Sequence, residues 1–210
     1  LTREKIQESA QIIGRSQRDI VAIVSDLVTL ADLGFKSQKS KVKPVDMGVL
    51  IGKVIERFQD IARLRKISVA LKNQSKNPIA QVNEFIFVKA IENLVDNAIG
   101  YSNDGSTVTV TLEDDKDGLV IRVADRGIGI PESDKPLIFQ QFFRAKNAVQ
   151  KKNVGTGLGL YIVKSIVEGH GGKVSFESTE NNGSLFSIML PRSAVSFGIP
   201  DTHPEVAEKK

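Results

Sequence analysis

The chain has 210 residues, 40% of them apolar and 26% charged, with a formal net charge of +4 and no cysteine. That length and apolar content suit one ordinary domain with a core plus an appendage, and the absence of cysteine excludes disulfides and thiolate metal centres while fitting a reducing compartment. No apolar run reaches the roughly 18 residues that a bilayer crossing needs, the opening LTREKIQESA lacks signal-peptide architecture, and the mild positive charge is not gathered into the basic face of a nucleic-acid binder.

Residues 1–35 read as one long helix. Ile6, Ile13, Ile20 and Leu27 recur at every seventh position, and Ala10, Gln17, Val24 and Ala31 form a second seam. A seven-residue apolar repeat favours helix-on-helix packing. One helix cannot bury that stripe, so a partner helix is expected from an upstream segment or a second chain. Gly34 ends the run, and the basic stretch within 36–45 reads as a solvated linker. Residues 46–64 predict a second helix with Val49, Leu50, Val54, Ile55, Phe58 and Ile61 on one side, and 67–71 alternate as a strand. Asn83 caps a helix running to about residue 100. The runs 107–112 and 119–124 are β-branched and alternating, and 114–118 joins them as a hairpin. A short helix is expected over 135–142, and another from about 157 to the glycines at 169–172. A hairpin of 174–177 and 185–190 closes the domain, leaving 193–210 as a tail or linker. This order predicts an α/β two-layer sandwich over 46–192, a mixed sheet with helices on one face, preceded by the coiled-coil-like helix.

Three clusters carry chemistry. Asn93, Asn97 and Tyr101 stand at i, i+4 and i+8 and form one stripe of a helix, beside the apolar stripe of Ile86, Phe87, Ala90, Ile91, Leu94, Val95 and Ala98. Asn is a mediocre helix former; its amide oxygen can ligate a hard cation such as Mg²⁺, or the pair can simply cap turns or face water. DRGIGIP at 125–131 follows a strand, which leaves the Asp125 carboxylate at a strand end with Gly127 and Gly129 behind it. Glycines allow close backbone approach, and on its own this is also a plain turn. GTGLGL at 155–160 opens a helix, where free N–H groups and the positive dipole end favour phosphate. No strand precedes it, as a dinucleotide fingerprint requires, and no Lys-Ser/Thr follows, as in a P-loop. Between the glycine clusters, 138–154 begins aromatic and ends polar and basic, with Arg144, Lys146, Lys151 and Lys152, as a lid does.

The order of these clusters resembles the Bergerat-type ATP-binding fold shared by histidine kinases, DNA gyrase, Hsp90-type chaperones and mismatch-repair ATPases. Within that group it is most similar to sensor histidine kinases of two-component systems. Residues 93–102 resemble their N box, 125–130 the G1 box, 138–144 the F box and 155–160 the G2 box, and the helix ending DLVTLADLG resembles their second dimerisation helix. The resemblance covers about 1–192. It implies that Asn97 and Asn93 ligate Mg²⁺ and that Tyr101 packs on the adenine or its sugar. It implies that Asp125 accepts from the adenine 6-amino group, that Gly127 and Gly129 let the base lie close to the chain, and that Ile130 and Phe142 are among the nucleotide-binding residues. Gly155, Thr156, Gly157, Leu158 and Gly159 wrap the phosphates, and Arg144 faces the γ-phosphate. The implied activity is γ-phosphate transfer from Mg-ATP to a His, then to an Asp of a response regulator, in a homodimeric and cytoplasmic parent whose membrane attachment, if any, lies outside this chain. An ATP hydrolase of the gyrase or chaperone branch, or a degenerate nucleotide-binding module, is the alternative.

Two departures stand out. The family commonly has a Lys three residues after the second Asn, where this chain has Gly100. No acceptor His is present: His170 matches a structural position at a helix end, and His203 lies in the tail. The acceptor is expected on a first dimerisation helix preceding Leu1.

Overall fold

The alternation at 107–124 and 183–191 builds the centre of the sheet. The computed structural model describes residues 2–34, 42–116, 118–152 and 155–192. In chain order its elements are α1 (Arg3–Gly34), β1 (Lys43–Asp46), α2 (Met47–Leu64), β2 (Ser68–Asn73), β3 (Ile79–Val82), α3 (Glu84–Tyr101), β4 (Thr107–Asp115), β5 (Gly118–Ala124), a 3-10 turn (Glu132–Leu137), α4 (Lys146–Lys151), α5 (Gly159–Gly169), β6 (Lys173–Thr179) and β7 (Gly183–Pro191). The main sheet runs β2-β4-β5-β7-β6; β2 and β4 are parallel and the other pairs antiparallel. It is the mixed sheet that the sequence predicts.

One sheet face is apolar because β-strand side chains alternate. Val108, Val110 and Leu112 of β4 and Leu119, Ile121 and Val123 of β5 are all buried. They pack into one core with Ile51 and Val54 of α2, Phe87, Ile91 and Leu94 of α3, and Ile162 and Ile166 of α5. Burying each such side chain contributes roughly 1.5–3 kcal/mol. The helical layer therefore lies on one face, and its middle member, α3, carries the Asn93–Asn97–Tyr101 stripe.

His170 ties the layer together. Its Nε2 accepts from the Asn83 N–H at 3.0 Å, its Nδ1 lies 2.7 Å from the Ile166 carbonyl oxygen, and its ring meets Phe87 edge-on. The Asn83 side chain in turn caps α3 by accepting from the Ile86 N–H. His170 is thus structural, as read from the sequence.

Several elements differ from expectation. Residues 43–45, assigned to the linker, enter β1, which pairs with β3 in a separate two-stranded sheet; both are four-residue strands, too short for a periodic signal. The helix expected over 135–142 is replaced by the 3-10 turn, which contains Pro136, a residue without an N–H to sustain an α-helix. On α2, Val49 and Ile61 are about half exposed and Met47, Ile51 and Ala62 are buried instead. On α1 there is no such departure: the seam residues Ile13, Ile20, Val24 and Leu27 are 48–67% exposed, as expected of a stripe that one helix cannot bury by itself. The rest of the expected linker, 35–41, and the tail 193–210 lie outside the described residues.

Candidate functional site

The stripe on α3 opens onto a cavity of about 280 Å³. Asn93, Asn97 and Tyr101 form one wall. Asp125, Ile128, Gly129 and Ile130, from the loop after β5, form another, with Phe186 of β7 beneath them. Ile138, Phe143, Arg144, Asn147 and Lys152 come from the lid segment, and Gly155, Thr156, Gly157 and Gly159 from the glycine-rich turn. Ala22 and Asp26 of α1 complete the rim. The three clusters that lie far apart in sequence therefore share one space.

The base of the site is stitched by backbone. Ser102 bridges Gly127, and the Ile128 N–H donates to the Tyr101 carbonyl at 3.2 Å. The Asn181 N–H donates to the Ile128 carbonyl at 2.7 Å, and the Ile130 N–H donates to Ser178 Oγ at 2.9 Å. Gly129 has φ +61, and a Cβ on it would stand 2.0 Å from the Thr179 carbonyl oxygen, so no other residue fits this loop against the β6–β7 turn. Arg65, in the turn after α2, closes the end of α3. It donates to the carbonyls of Ile99, Gly100 and Ser102 at 2.5, 3.0 and 2.9 Å, and it pairs with Asp104. A cation there satisfies orphan carbonyls and suits the negative end of the dipole.

Asp125 is the titratable group that this environment moves most. Burial pushes its carboxyl up from 3.8 to about 6, and the Gly127 N–H, which donates to Oδ1 at 2.9 Å, together with Ser184, only partly offsets that. A half-buried carboxylate with little competing solvent is a strong acceptor for an amine in the cavity.

At the opposite end, Gly157 has φ +71, and a Cβ on it would stand 2.6 Å from the Phe142 backbone. The Leu158 N–H donates to Thr156 Oγ1 at 3.0 Å, and Thr156 Oγ1 donates to the Asp26 carboxylate at 2.6 Å. Gly159 opens α5 directly against Asn93, whose Oδ1 lies 3.2 Å from where its Cβ would be. Arg144 donates to the Lys152 carbonyl, and its guanidinium lies 3.5 Å from where a Cβ of Gly155 would be. Lys152 Nζ pairs with Asp96 at 2.9 Å.

Of the nucleotide-binding and metal-binding residues that the resemblance implies, Asn93, Asn97, Tyr101, Asp125, Gly129, Ile130, Arg144, Gly155, Thr156, Gly157 and Gly159 line this cavity. Three do not. Phe142 is 64% exposed because its φ of +61 turns it outward, and Phe143 takes the wall instead. Leu158 is wholly buried in the core. Gly127 packs against the end of α3, where a Cβ would stand 2.2 Å from the Tyr101 carbonyl oxygen. Asn147 was not singled out. It donates to the Gly129 carbonyl at 3.1 Å and so joins α4 to the loop after β5, while its own buried Oδ1 has no partner. Asp26, Arg65 and Ser184 were also missed; each acts across a long sequence separation that no local pattern records.

The donor set fits a magnesium ion that arrives with phosphates. The side-chain amides of Asn93 and Asn97 have no hydrogen-bond partner among the described residues, and no group of three or more His, Cys, Asp or Glu able to hold a metal alone occurs among them. Two amide oxygens supply only part of the octahedron that this ion demands, and phosphate oxygens and water customarily supply the rest.

The sequence model of the family described as histidine kinase-, DNA gyrase B-, and HSP90-like ATPase matches residues 83–194. Sensor histidine kinase RppB of Synechocystis is 30% identical over 199 residues, 95% of this chain and 43% of that protein. Sensor-like histidine kinase SenX3 of Mycobacterium bovis is 32% identical over 187 residues, 89% of this chain and 45% of that protein. Circadian input-output histidine kinase CikA of Synechococcus elongatus is 28% identical, and the chain spans 26% of its length. The chain thus spans half or less of these curated relatives. Among solved structures, the catalytic domain of histidine kinase ThkA superposes with TM-score 0.63 at 30% identity, covering 72% of this chain and 95% of that one. Full-length ShkA in complex with AMPPNP superposes with TM-score 0.72 at 26% identity, covering 93% of this chain and 40% of that one.

Proposed function

The chain belongs to the family of histidine kinase-, DNA gyrase B-, and HSP90-like ATPases, with a catalytic domain of the sensor histidine kinase kind, and on that footing we propose that it binds Mg-ATP and passes the γ-phosphoryl group to a histidine on a dimerisation helix outside this chain. The observation that carries the reading is the convergence of Asn93, Asn97, Asp125 and the glycine-rich turn on one cavity.

Each residue's part follows from its chemistry. Asp125, ionised, accepts from an exocyclic amine and so favours adenine over guanine, which has an oxo group there. Tyr101 and Ile130 flank the base. The N–H groups at the start of α5 face the phosphates. Asn93 and Asn97 would hold magnesium, which when bound neutralises charge on the phosphate oxygens. Arg144 stabilises charge developing on the transferred group. The acceptor nitrogen attacks the γ-phosphorus, the bond to the β-phosphate oxygen breaks, and ADP leaves.

Hydrolysis fits less well. Hydrolase relatives place a Glu where Asn93 stands, and an amide cannot take a proton from water. The neighbouring Glu92 is held by Arg57 at 2.7 Å and Lys89 at 2.9 Å, outside the residues that line the cavity. The exposed apolar stripe of α1 supports pairing with a second copy or with the acceptor helix, and the same reading makes a response-regulator Asp the next carrier, in the cytoplasm. No helix among the described residues is long and apolar enough to cross a membrane.

Incubation with labelled ATP and a separately supplied helix bearing the acceptor His tests the proposal. Acid-labile label on the helix is the expected result. Rapid phosphate release with no label transfers the chain to the hydrolases.

A further inference from the structure

Gly100 is the last but one residue of α3, in ordinary helical geometry. Glycine is a poor helix residue, and no turn requires it here. Its surroundings supply the reason. A Cβ at position 100 would stand 3.3 Å from Lys152 Nζ, 3.5 Å from its Cδ and 3.8 Å from its Cε. The Lys152 side chain therefore lies lengthwise across the bare backbone of α3. Its ammonium group ends on Asp96, beside Asn97, and it lines the same cavity as both amides.

Charge argues the same way. The cavity wall carries the carboxylates of Asp26, Asp96 and Asp125 against the cations of Arg144 and Lys152. Without Lys152, a polyphosphate would meet three carboxylates and one guanidinium. The lysine is also anchored, since Arg144 holds its carbonyl.

We propose that Lys152 is the phosphate-binding cation that α3 lacks at position 100, so that the charge normally carried by the helix is delivered from the lid. The inference rests on the nucleotide reading of the cavity. It makes Gly100 the space into which the lysine reaches, and it makes Asp96 the partner that Lys152 exchanges for a phosphate oxygen. Part of the affinity for a polyphosphate then depends on the lid.

The test is calorimetric titration of ATP and of adenosine into the intact chain and into Lys152→Ala, Lys152→Gln and the double variant Gly100→Lys with Lys152→Ala. Melting curves without nucleotide establish that each variant is folded. Both single variants are expected to lose ATP affinity by about tenfold or more and to keep adenosine affinity within about twofold. The double variant is expected to recover most of the loss. ATP binding unchanged in Lys152→Ala, adenosine lost in parallel with ATP, or no recovery in the double variant each overturns the inference. The parent reading fails separately, by the unaltered chain binding no ATP.

Discussion

Thr156 Oγ1 donates a 2.6 Å hydrogen bond to the carboxylate of Asp26, fastening α1 to the glycine-rich turn across 130 residues of sequence. The bond places a negative charge at the end of the cavity assigned to phosphates. A polyphosphate entering there meets Coulomb repulsion, and the contact must break or the carboxylate must turn away. Asp26→Asn keeps a hydrogen-bond acceptor and removes the charge. ATP affinity is expected to rise by roughly threefold to tenfold at low salt, and the gain to shrink at high salt because the charges are partly exposed. Titration of ATP at two ionic strengths measures it; an unchanged affinity at low salt removes Asp26 from any influence on the nucleotide.

Asp125 gives a pH dependence of defined sign. Burial raises its carboxyl from 3.8 to about 6, so the folded chain binds this proton more readily than the unfolded chain. The group favours folding at pH below the unfolded value, and that advantage disappears as pH rises through about 6. Nucleotide binding runs the other way, since only the carboxylate accepts from an adenine amine. ATP affinity should therefore fall by about tenfold between pH 7 and pH 5. Asp125→Asn should abolish most of that dependence, weaken adenine nucleotides at neutral pH and raise the stability of the empty protein by up to about 3 kcal/mol. Parallel titrations and thermal melts at the two pH values check all three.

What the sequence shows and what it hides divide along range. The stripe Asn93–Asn97–Tyr101 is legible because a helix repeats every 3.6 residues, and the cap Asn83 because its partner Ile86 is three residues away. The glycines at 129 and 157 are legible as positions, but their contacts with Thr179 and Phe142 are not. Phe142 enters the site only through the resemblance of 138–144 to the F box, and its positive φ, which no residue pattern there announces, turns it outward. Lys152 was legible as a lid cation but not as the occupant of the space above Gly100, since that space is set by tertiary packing.

His170 has the opposite linkage. Only a proton on Nδ1 lets the ring donate to Ile166, and only a bare Nε2 accepts from the Asn83 N–H, so the ring is neutral. Burial lowers its pKa from the usual 6.5, outweighing the Ile166 bond. Its contribution is full above 6.5 and is lost as pH falls below that value, by at most about 1.4 kcal/mol per pH unit. His170→Met removes this slope and, with it, the bond that the Asn83 N–H donates to Nε2, at a cost of about 1–3 kcal/mol at neutral pH. Urea unfolding of both proteins from pH 7.5 to 5 isolates the group, because the Asp125 contribution is common to the two and cancels in the difference.

Arg65 separates stability from chemistry. Its side chain is about three-quarters buried, and its guanidinium satisfies three carbonyls at the end of α3, immediately beside Tyr101. Arg65→Ala leaves those oxygens to water and frees the last turn of the helix, which should destabilise the fold by about 1–3 kcal/mol. Because that turn carries Tyr101 and is bridged to Gly127 through Ser102, the base pocket should loosen as well. The expected signature is a weaker affinity for ATP and adenosine alike, since the fault lies at the base and not at the phosphates, with the preference for adenine over guanine retained, since Asp125 still provides it. A variant that unfolds more easily yet binds adenosine at full strength would mean that the end of α3 is held by the bridge alone and that Arg65 serves the fold without serving the site.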